Sequence, residues 1–206
     1  MDSILKMKKI IIIALAISFV FTSCGDNESQ SNKGDQLFEA GKYNEAISAY
    51  SEYLNLYPTH TASLYNRGRS FEELKQYDRS LEDFMKILEI DEKNFNAHLS
   101  ISKHYYRDKN YAKALLHAKK VIELNEGIAN GHLLIARSNH HLGYINEAME
   151  SYDQALSLDK GLGEAYLYRG ALFIIQEKLG RACSDFKKAA NLEIPEAKEV
   201  MAKYCQ

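Results

Sequence analysis

The sequence repeats at a constant interval, and this period constrains the fold more than any other feature of the chain. One position of each repeat is small in every case: Ala46, Ser80, Ala114, Ala148 and Ala182. Two later positions are mostly large and apolar: Tyr50, Phe84, Ala118, Tyr152 and Phe186, then Leu56, Ile90, Leu124, Leu158 and Leu192. Within a repeat the apolar and small residues recur at spacings of three and four, which is typical of amphipathic α-helices. The chain is therefore expected to form an array of helical repeats, each burying its apolar face against the next.

A second set of small residues precedes these positions: Gly34, Gly68, Ser102, Ala136 and Gly170. Turn signals such as Gly41-Lys42 and Leu142-Gly143 separate two helices in a repeat. This order of small and aromatic positions resembles the tetratricopeptide repeat, a helix–turn–helix unit. The resemblance covers residues 27–196 and departs at the usual Trp, replaced by Leu64, His98, His132 and Tyr166, and at the closing Pro, kept only as Pro58.

The resemblance implies an all-α fold, a right-handed α-solenoid of about five repeats over residues 34–194 without any sheet. A capping helix is expected over residues 195–206, because Pro195 can begin a helix and a stripe of apolar residues follows it. His98 and His132 occupy the Trp position, so we expect them to pack between helices.

Residues 1–23 have the pattern of a signal peptide. Lys6, Lys8 and Lys9 precede an apolar run over residues 10–21, which is too short to span a membrane as a helix. The following Phe21-Thr22-Ser23-Cys24 resembles the lipobox of bacterial lipoproteins, although Leu is usual in place of Phe21. This resemblance implies cleavage before Cys24 and acylation of Cys24. A secretory signal with an incidental cysteine and an uncleaved apolar start in a cytoplasmic protein are the alternatives.

Residues 24–33 are polar and lack helical periodicity, so they are predicted to form a flexible tether, and the first helix of the first repeat is expected to be short. In the lipoprotein family an Asp after the cysteine commonly retains the protein at the inner membrane. Gly25 stands there, which favours the outer membrane. The nearby Asp26 and Glu28 resemble surface-export signals, so periplasmic and surface orientations both stay open.

Cys183 and Cys205 lie near the start of one predicted helix and the end of the next. Because successive helices run antiparallel, the two thiols can meet, and an exported protein can form a disulfide there. Two buried thiols that act as small apolar residues are the alternative. No Cys-x-x-Cys motif indicates a catalytic thiol.

Charge and motif content argue against several functions. With 26 basic and 28 acidic residues the net charge is -2, so no general basic field attracts nucleic acid. No phosphate-binding loop, nucleophile elbow, zinc-protease motif or acidic calcium loop occurs. Enzymatic activity, a cofactor and a metal are therefore not expected.

In the tetratricopeptide family the first helices of successive repeats line a concave groove. Carried over by position, the groove-facing residues here are Tyr65, Arg69 and Glu72 of the second repeat, Asn96, Leu99, Lys103, Tyr106 and Arg107 of the third, and Asn130, Leu133, Arg137, His140 and His141 of the fourth. Arg69, Lys103 and Arg137 recur at one-repeat intervals and form a basic ladder. We expect the basic ladder to bind acidic groups or a carboxylate terminus of a peptide, with Tyr65 and Tyr106 making apolar contacts. The alternative is that these cations are ordinary solvated residues. The family's chaperone-type carboxylate clamp is not indicated, because only Asn66 matches its residue set.

These features predict a lipid-anchored scaffold for protein–protein interactions in the bacterial cell envelope. Its partners would be a protein or peptide in the groove and the membrane at the lipid. Two narrower roles compete: an accessory lipoprotein for outer-membrane assembly or secretion, and a surface-displayed ligand-binding module.

Overall fold

A computed structural model describes residues 26–205 of the chain and the side chains of residues 31–205. Helices make up 81% of the described residues, and no strand occurs among them. In chain order the helices are α1 (Asp26–Glu39), α2 (Tyr43–Leu56), α3 (Thr61–Glu73), α4 (Tyr77–Ile90), α5 (Phe95–Arg107), α6 (Tyr111–Leu124), α7 (Ala129–Leu142), α8 (Ile145–Leu158), α9 (Gly163–Ile175), α10 (Leu179–Asn191) and α11 (Pro195–Tyr204).

Consecutive helices pair into five helix–turn–helix repeats, α1 with α2 through α9 with α10, and α11 packs on α10. The predicted all-α repeat fold is confirmed. The chain divides after Ile90 into two compact units. We call α1–α4 the N-terminal unit and α5–α11 the C-terminal unit.

The turn inside each repeat places one residue in the left-handed region of backbone conformation. This residue recurs at the repeat interval, with φ of 71° at Gly41, 58° at Lys75, 59° at Lys109, 83° at Gly143 and 59° at Glu177. Only two repeats place glycine there, although side chains other than glycine disfavour this conformation. The turn is instead held by the same two backbone hydrogen bonds at the helix end in every repeat, such as those from Lys75 N–H to the Glu72 carbonyl and from Gln76 N–H to the Phe71 carbonyl.

Small residues allow the two helices of a repeat to approach closely. A Cβ atom on Gly68 would lie 2.7 Å from the Phe84 ring, and one on Gly170 would lie 2.6 Å from the Phe186 ring. Both aromatic rings are fully buried. The third repeat inverts the pattern, since Ala118 replaces the aromatic residue and Ser102 replaces the glycine. The size of the first residue therefore compensates for the size of its partner.

Two repeats contain the same partly buried ion pair between their helices. Arg67 donates from Nε and Nη2 to both carboxylate oxygens of Asp83, at 2.8 and 2.6 Å. Three repeats later, Arg169 binds Asp185 in the same way, at 2.7 and 2.9 Å. The repeats between them place Ile101 with His117, and Ile135 with Ser151, at these two positions.

The predicted flexible tether over residues 24–33 and the predicted short first helix are wrong where the structure describes them, because α1 begins at Asp26 and has 14 residues. Contacts within the N-terminal unit explain this helix. Asp35 accepts hydrogen bonds from the Tyr50 hydroxyl at 2.6 Å and from Asn66 Nδ2 at 2.9 Å. The Ser31 hydroxyl oxygen lies 3.2 Å from the Ser63 hydroxyl oxygen. Such packing outweighs the weak helix propensity of a polar segment.

The predicted signal peptide and the lipidation site Cys24 lie outside the described residues. Of the helices within residues 26–205, none is long and apolar enough to cross a membrane.

At the other end, the C-terminal helix begins with Pro195 in its first turn. A disulfide joins Cys183 to Cys205, with Cα atoms 5.6 Å apart, and so links α10 to the end of α11.

Candidate functional site

The first helices of the last three repeats, α5, α7 and α9, together line a pocket in the C-terminal unit with a volume of about 480 Å³. Its lining residues are Lys103, Tyr106, Arg107, Asn130, Leu133, Leu134, Arg137 and Glu164. Six of the predicted groove residues are therefore brought together: Lys103, Tyr106, Arg107, Asn130, Leu133 and Arg137. The volume falls within the range of about 300–1,000 Å³ that is usual for ligand pockets.

The pocket has an apolar part and charged sides. Leu133 and Leu134 are only 7% and 6% exposed. Lys103 and Arg107 lie one turn apart on α5, and both are exposed. Lys103 makes no ion pair or side-chain hydrogen bond with any residue in the described part of the chain. This side of the pocket therefore offers a cation that a ligand can reach.

Arg137 has a different environment, because it already has an anionic partner. Its Nη1 donates to Glu164 Oε2 at 2.6 Å. Its guanidinium carbon lies 4.4 Å from the Tyr106 ring centroid and 5.2 Å from that of Tyr168. Burial acts to lower the pKa of Arg137, but Tyr106 and Glu164 outweigh it and raise the pKa. Arg137 is therefore charged, and it holds Glu164 in place at the pocket.

His140 and His141 do not line the pocket, but His141 contacts the pocket residue Tyr106. The Tyr106 hydroxyl is 2.9 Å from His141 Nε2, and the Tyr111 ring stacks on His141 with centroids 4.2 Å apart. Burial lowers the pKa of both histidines. The neighbouring His141 lowers the pKa of His140 further, and Arg137 lowers the pKa of His141 further. His141 thus supports Tyr106, whereas the His140 ring lies against His141 and Tyr168.

Tyr65 and Arg69 belong to the N-terminal unit. The Arg69 guanidinium carbon lies 4.5 Å from the Phe38 ring centroid, and the Tyr65 ring lies 5.6 Å from Phe84. The three members of the basic ladder therefore have different environments: Arg69 is exposed and lies on one aromatic ring, Lys103 is exposed, and Arg137 is in an ion pair and lies against two rings. They are not three equivalent charges.

Glu164 is not among the predicted groove residues, because these stop in the fourth repeat. Glu164 follows Asn130, another pocket residue, by one repeat interval. Extending the same register into the fifth repeat would have identified it. Its ion pair with Arg137, in contrast, joins two helices and has no signal in the sequence.

The two histidines at the usual Trp position hold the loops between repeats. Nε2 of His98 lies 3.0 Å from the Glu92 carbonyl oxygen, and Nε2 of His132 lies 2.9 Å from that of Glu126. Nδ1 of His98 also lies 2.9 Å from Nδ1 of His117. Across residues 26–205 no group of three or more His, Cys, Asp or Glu residues is arranged to hold a metal ion.

Comparison with protein families identifies the repeats. Models of the tetratricopeptide repeat match residues 32–97 and residues 129–161. Tetratricopeptide repeats are therefore present in both units. No match exists among curated protein sequences.

Solved structures show the same fold. The MamA crystal structure is 22% identical and has a TM-score of 0.70, over 80% of this chain and 96% of MamA. A MamA fragment from Desulfovibrio magneticus RS-1 is 20% identical with a TM-score of 0.74, over 82% and 96% of the two chains. YrrB, described as a tetratricopeptide repeat protein with an unusual peptide-binding site, is 18% identical with a TM-score of 0.69, over 84% and 90%. At these identities the likeness establishes the fold alone.

Proposed function

We propose that this protein is a scaffold that binds a segment of another protein in the pocket between α5, α7 and α9. The observation that carries the proposal is the combination of exposed cations, Lys103 and Arg107, beside the buried apolar surface of Leu133 and Leu134. An acidic group of a peptide can form charge-assisted hydrogen bonds on the α5 side while an apolar side chain covers the leucines. The peptide-binding site described for YrrB, which has the same fold, adds support.

The described residues favour binding over catalysis. The pocket's charged groups are cations and one ion-paired carboxylate, and they include no nucleophile activated by an adjacent base. Tetratricopeptide repeat proteins are generally scaffolds without enzymatic activity. The mechanism proposed is therefore the positioning of a partner on a rigid helical surface.

Charge reversal at the pocket tests this function. The double variant Lys103→Glu/Arg107→Glu should lose most of the partner that the wild-type chain captures from envelope extracts, as measured by quantitative mass spectrometry. The matched control is Lys187→Glu/Lys198→Glu, which changes the same net charge at two exposed lysines of α10 and α11. An unchanged set of partners in the pocket variant, at unchanged helical content, would refute the proposal.

We further infer that the scaffold is attached to the envelope by acyl chains on Cys24. The support is the order of residues, namely the lysines, the apolar run over residues 10–21 and Phe21-Thr22-Ser23-Cys24. Two or three acyl chains give stable membrane attachment, whereas one chain gives only marginal attachment. Gly25 after the cysteine favours the outer membrane, where an accessory role in outer-membrane assembly or secretion and a role as a surface-displayed module are both open.

Metabolic labelling with an alkyne-bearing palmitate analogue tests the anchor. The wild-type chain should incorporate the label and sediment with membranes, and Cys24→Ser should do neither. Incorporation of label into Cys24→Ser would refute the assignment of the lipidated residue. Protease treatment of intact cells then separates the two orientations, because only a surface-displayed chain would be cut.

A further inference from the structure

The pocket of the C-terminal unit changes the sign of its charge from one side to the other. On the α5 side, Lys103 and Arg107 are exposed cations. On the α9 side the charged residue is Glu164. Arg137 stands between them, but its charge is offset by Glu164 at 2.6 Å. A ligand therefore meets positive charge at one end and a carboxylate at the other.

Glu164 keeps part of its carboxylate available. Its Oε2 accepts from Arg137, whereas its Oε1 accepts no side-chain hydrogen bond from the described residues. The Glu164 side chain is 49% exposed, and that of Arg137 is 21% exposed. Arg137 also lies against the rings of Tyr106 and Tyr168, which restrict its movement. Glu164 is therefore an oriented, accessible acceptor for a cationic group, and Arg137 positions it.

We propose that the pocket selects a dipolar peptide segment: an acidic side chain over α5, an apolar side chain over Leu133 and Leu134, and a basic side chain at Glu164. This inference rests on the proposed function and specifies the class of peptide that the site accepts. A segment carrying only acidic residues would place a carboxylate next to Glu164. A segment carrying only basic residues would meet Lys103 and Arg107. Both arrangements juxtapose like charges, which is how interfaces reject wrong partners.

Four fluorescent probe peptides test the charge order. All have the same length, two central leucines, an acetylated amino terminus and an amidated carboxyl terminus, so that only side chains carry charge. One has an acidic residue before and a basic residue after the leucines, one has the acidic residue only, one has the basic residue only, and one is neutral. Binding to the purified full chain is measured by fluorescence anisotropy at low salt, since salt screens such contacts.

The dipolar peptide should bind at least about fivefold more tightly than either singly charged peptide, which corresponds to about 1 kcal/mol. Glu164→Gln should reduce the affinity for the dipolar peptide to that for the acid-only peptide without weakening the latter. Lys103→Gln should weaken binding of both peptides that carry the acid. Glu199→Gln, on the exposed side of α11, removes the same charge elsewhere and should change nothing.

Two results overturn the inference alone: an acid-only peptide that binds the wild-type chain as tightly as the dipolar peptide, or a dipolar preference that survives Glu164→Gln. The first comparison needs no variant and is therefore independent of any effect of substitution on folding. If no peptide of any class binds, the proposed peptide-binding function fails together with the inference.

Discussion

The two Arg–Asp pairs should differ in how much each stabilises its repeat. In Asp83→Asn the guanidinium of Arg67 loses its anionic partner and keeps only neutral acceptors, the amide oxygen of the asparagine and the Ser51 hydroxyl, 3.0 Å from Nη1. In Asp185→Asn, Arg169 keeps the carboxylate of Asp153, 2.6 Å from Nη1. The same substitution therefore leaves one arginine without a counter-charge and the other with one.

The expected magnitude follows from burial. The side chains of Asp83 and Asp185 are 6% and 4% exposed, and those of Arg67 and Arg169 are 21% and 15% exposed. Removing one partner of a buried ion pair costs about 3–5 kcal/mol, so we expect Asp83→Asn to lose about 3 kcal/mol. In Asp185→Asn the ion pair of Arg169 with Asp153 remains, and an ion pair near the surface contributes up to about 1 kcal/mol. Asp185→Asn should therefore lower the free energy of unfolding by about 2 kcal/mol.

The loss of unfolding free energy can be measured for each unit separately by urea titration, with hydrogen exchange read by mass spectrometry. The helices to follow are α3 and α4 for Asp83→Asn, and α9 and α10 for Asp185→Asn. The chain supplies the control, since the fourth repeat has Ile135 and Ser151 at these positions. Arg67→Ile/Asp83→Ser should therefore be much closer to wild type than Asp83→Asn, because replacing both partners leaves no unpaired charge. A double variant as unstable as Asp83→Asn, or equal losses of stability for the two asparagine variants, would show that an unpaired buried charge is not what destabilises the repeat.

Three further outcomes follow from the C-terminal unit. Cys183→Ser/Cys205→Ser should lower its stability by about 3 kcal/mol, because the disulfide closes a loop between residues 22 apart in sequence, and reduction of the wild type should have the same effect in a denaturant titration. Gly170→Leu should unfold this unit at lower temperature, because even a Cβ atom would lie 2.6 Å from the Phe186 ring, and a circular dichroism melt that matches wild type would contradict the close approach. Burial and the neighbouring His98 and Lys113 lower the pKa of His117 to about 4. Since the unfolded state then binds more protons, stability should fall as pH drops from about 6.5 towards 4, and the fall should be smaller in His117→Gln.

Much of the fold could be predicted from the sequence because each repeat interface uses residues at fixed spacing. Gly68 with Phe84 and Gly170 with Phe186 have the same separation in sequence, and both pairs are the small and aromatic positions visible in the sequence. The helix that begins at Asp26 could not be predicted in this way. Its stabilising contacts, such as Asp35 with Tyr50 and Asn66, are polar and leave no apolar periodicity.

The candidate site was only partly predictable for a related reason. The repeat register places Lys103, Tyr106, Arg107 and Arg137 on first helices, and the structure gathers them in one pocket. Register alone does not show which cation is already paired. The Arg137–Glu164 ion pair depends on side chains from different repeats, and it converts one position of the basic ladder into a support for an acidic residue.

Photo-cross-linking in intact cells shows whether a partner occupies the pocket between α5, α7 and α9. The photoreactive residue p-benzoylphenylalanine is introduced at Asn130, an exposed residue of the pocket, and separately at Tyr144, an exposed residue of the same unit that does not line it. We expect a discrete cross-linked partner at Asn130, lost when Lys103→Glu/Arg107→Glu is added, and no such product at Tyr144. A partner cross-linked at Tyr144 but not at Asn130, or a product at Asn130 that is unaffected by the charge reversal, would contradict this expectation.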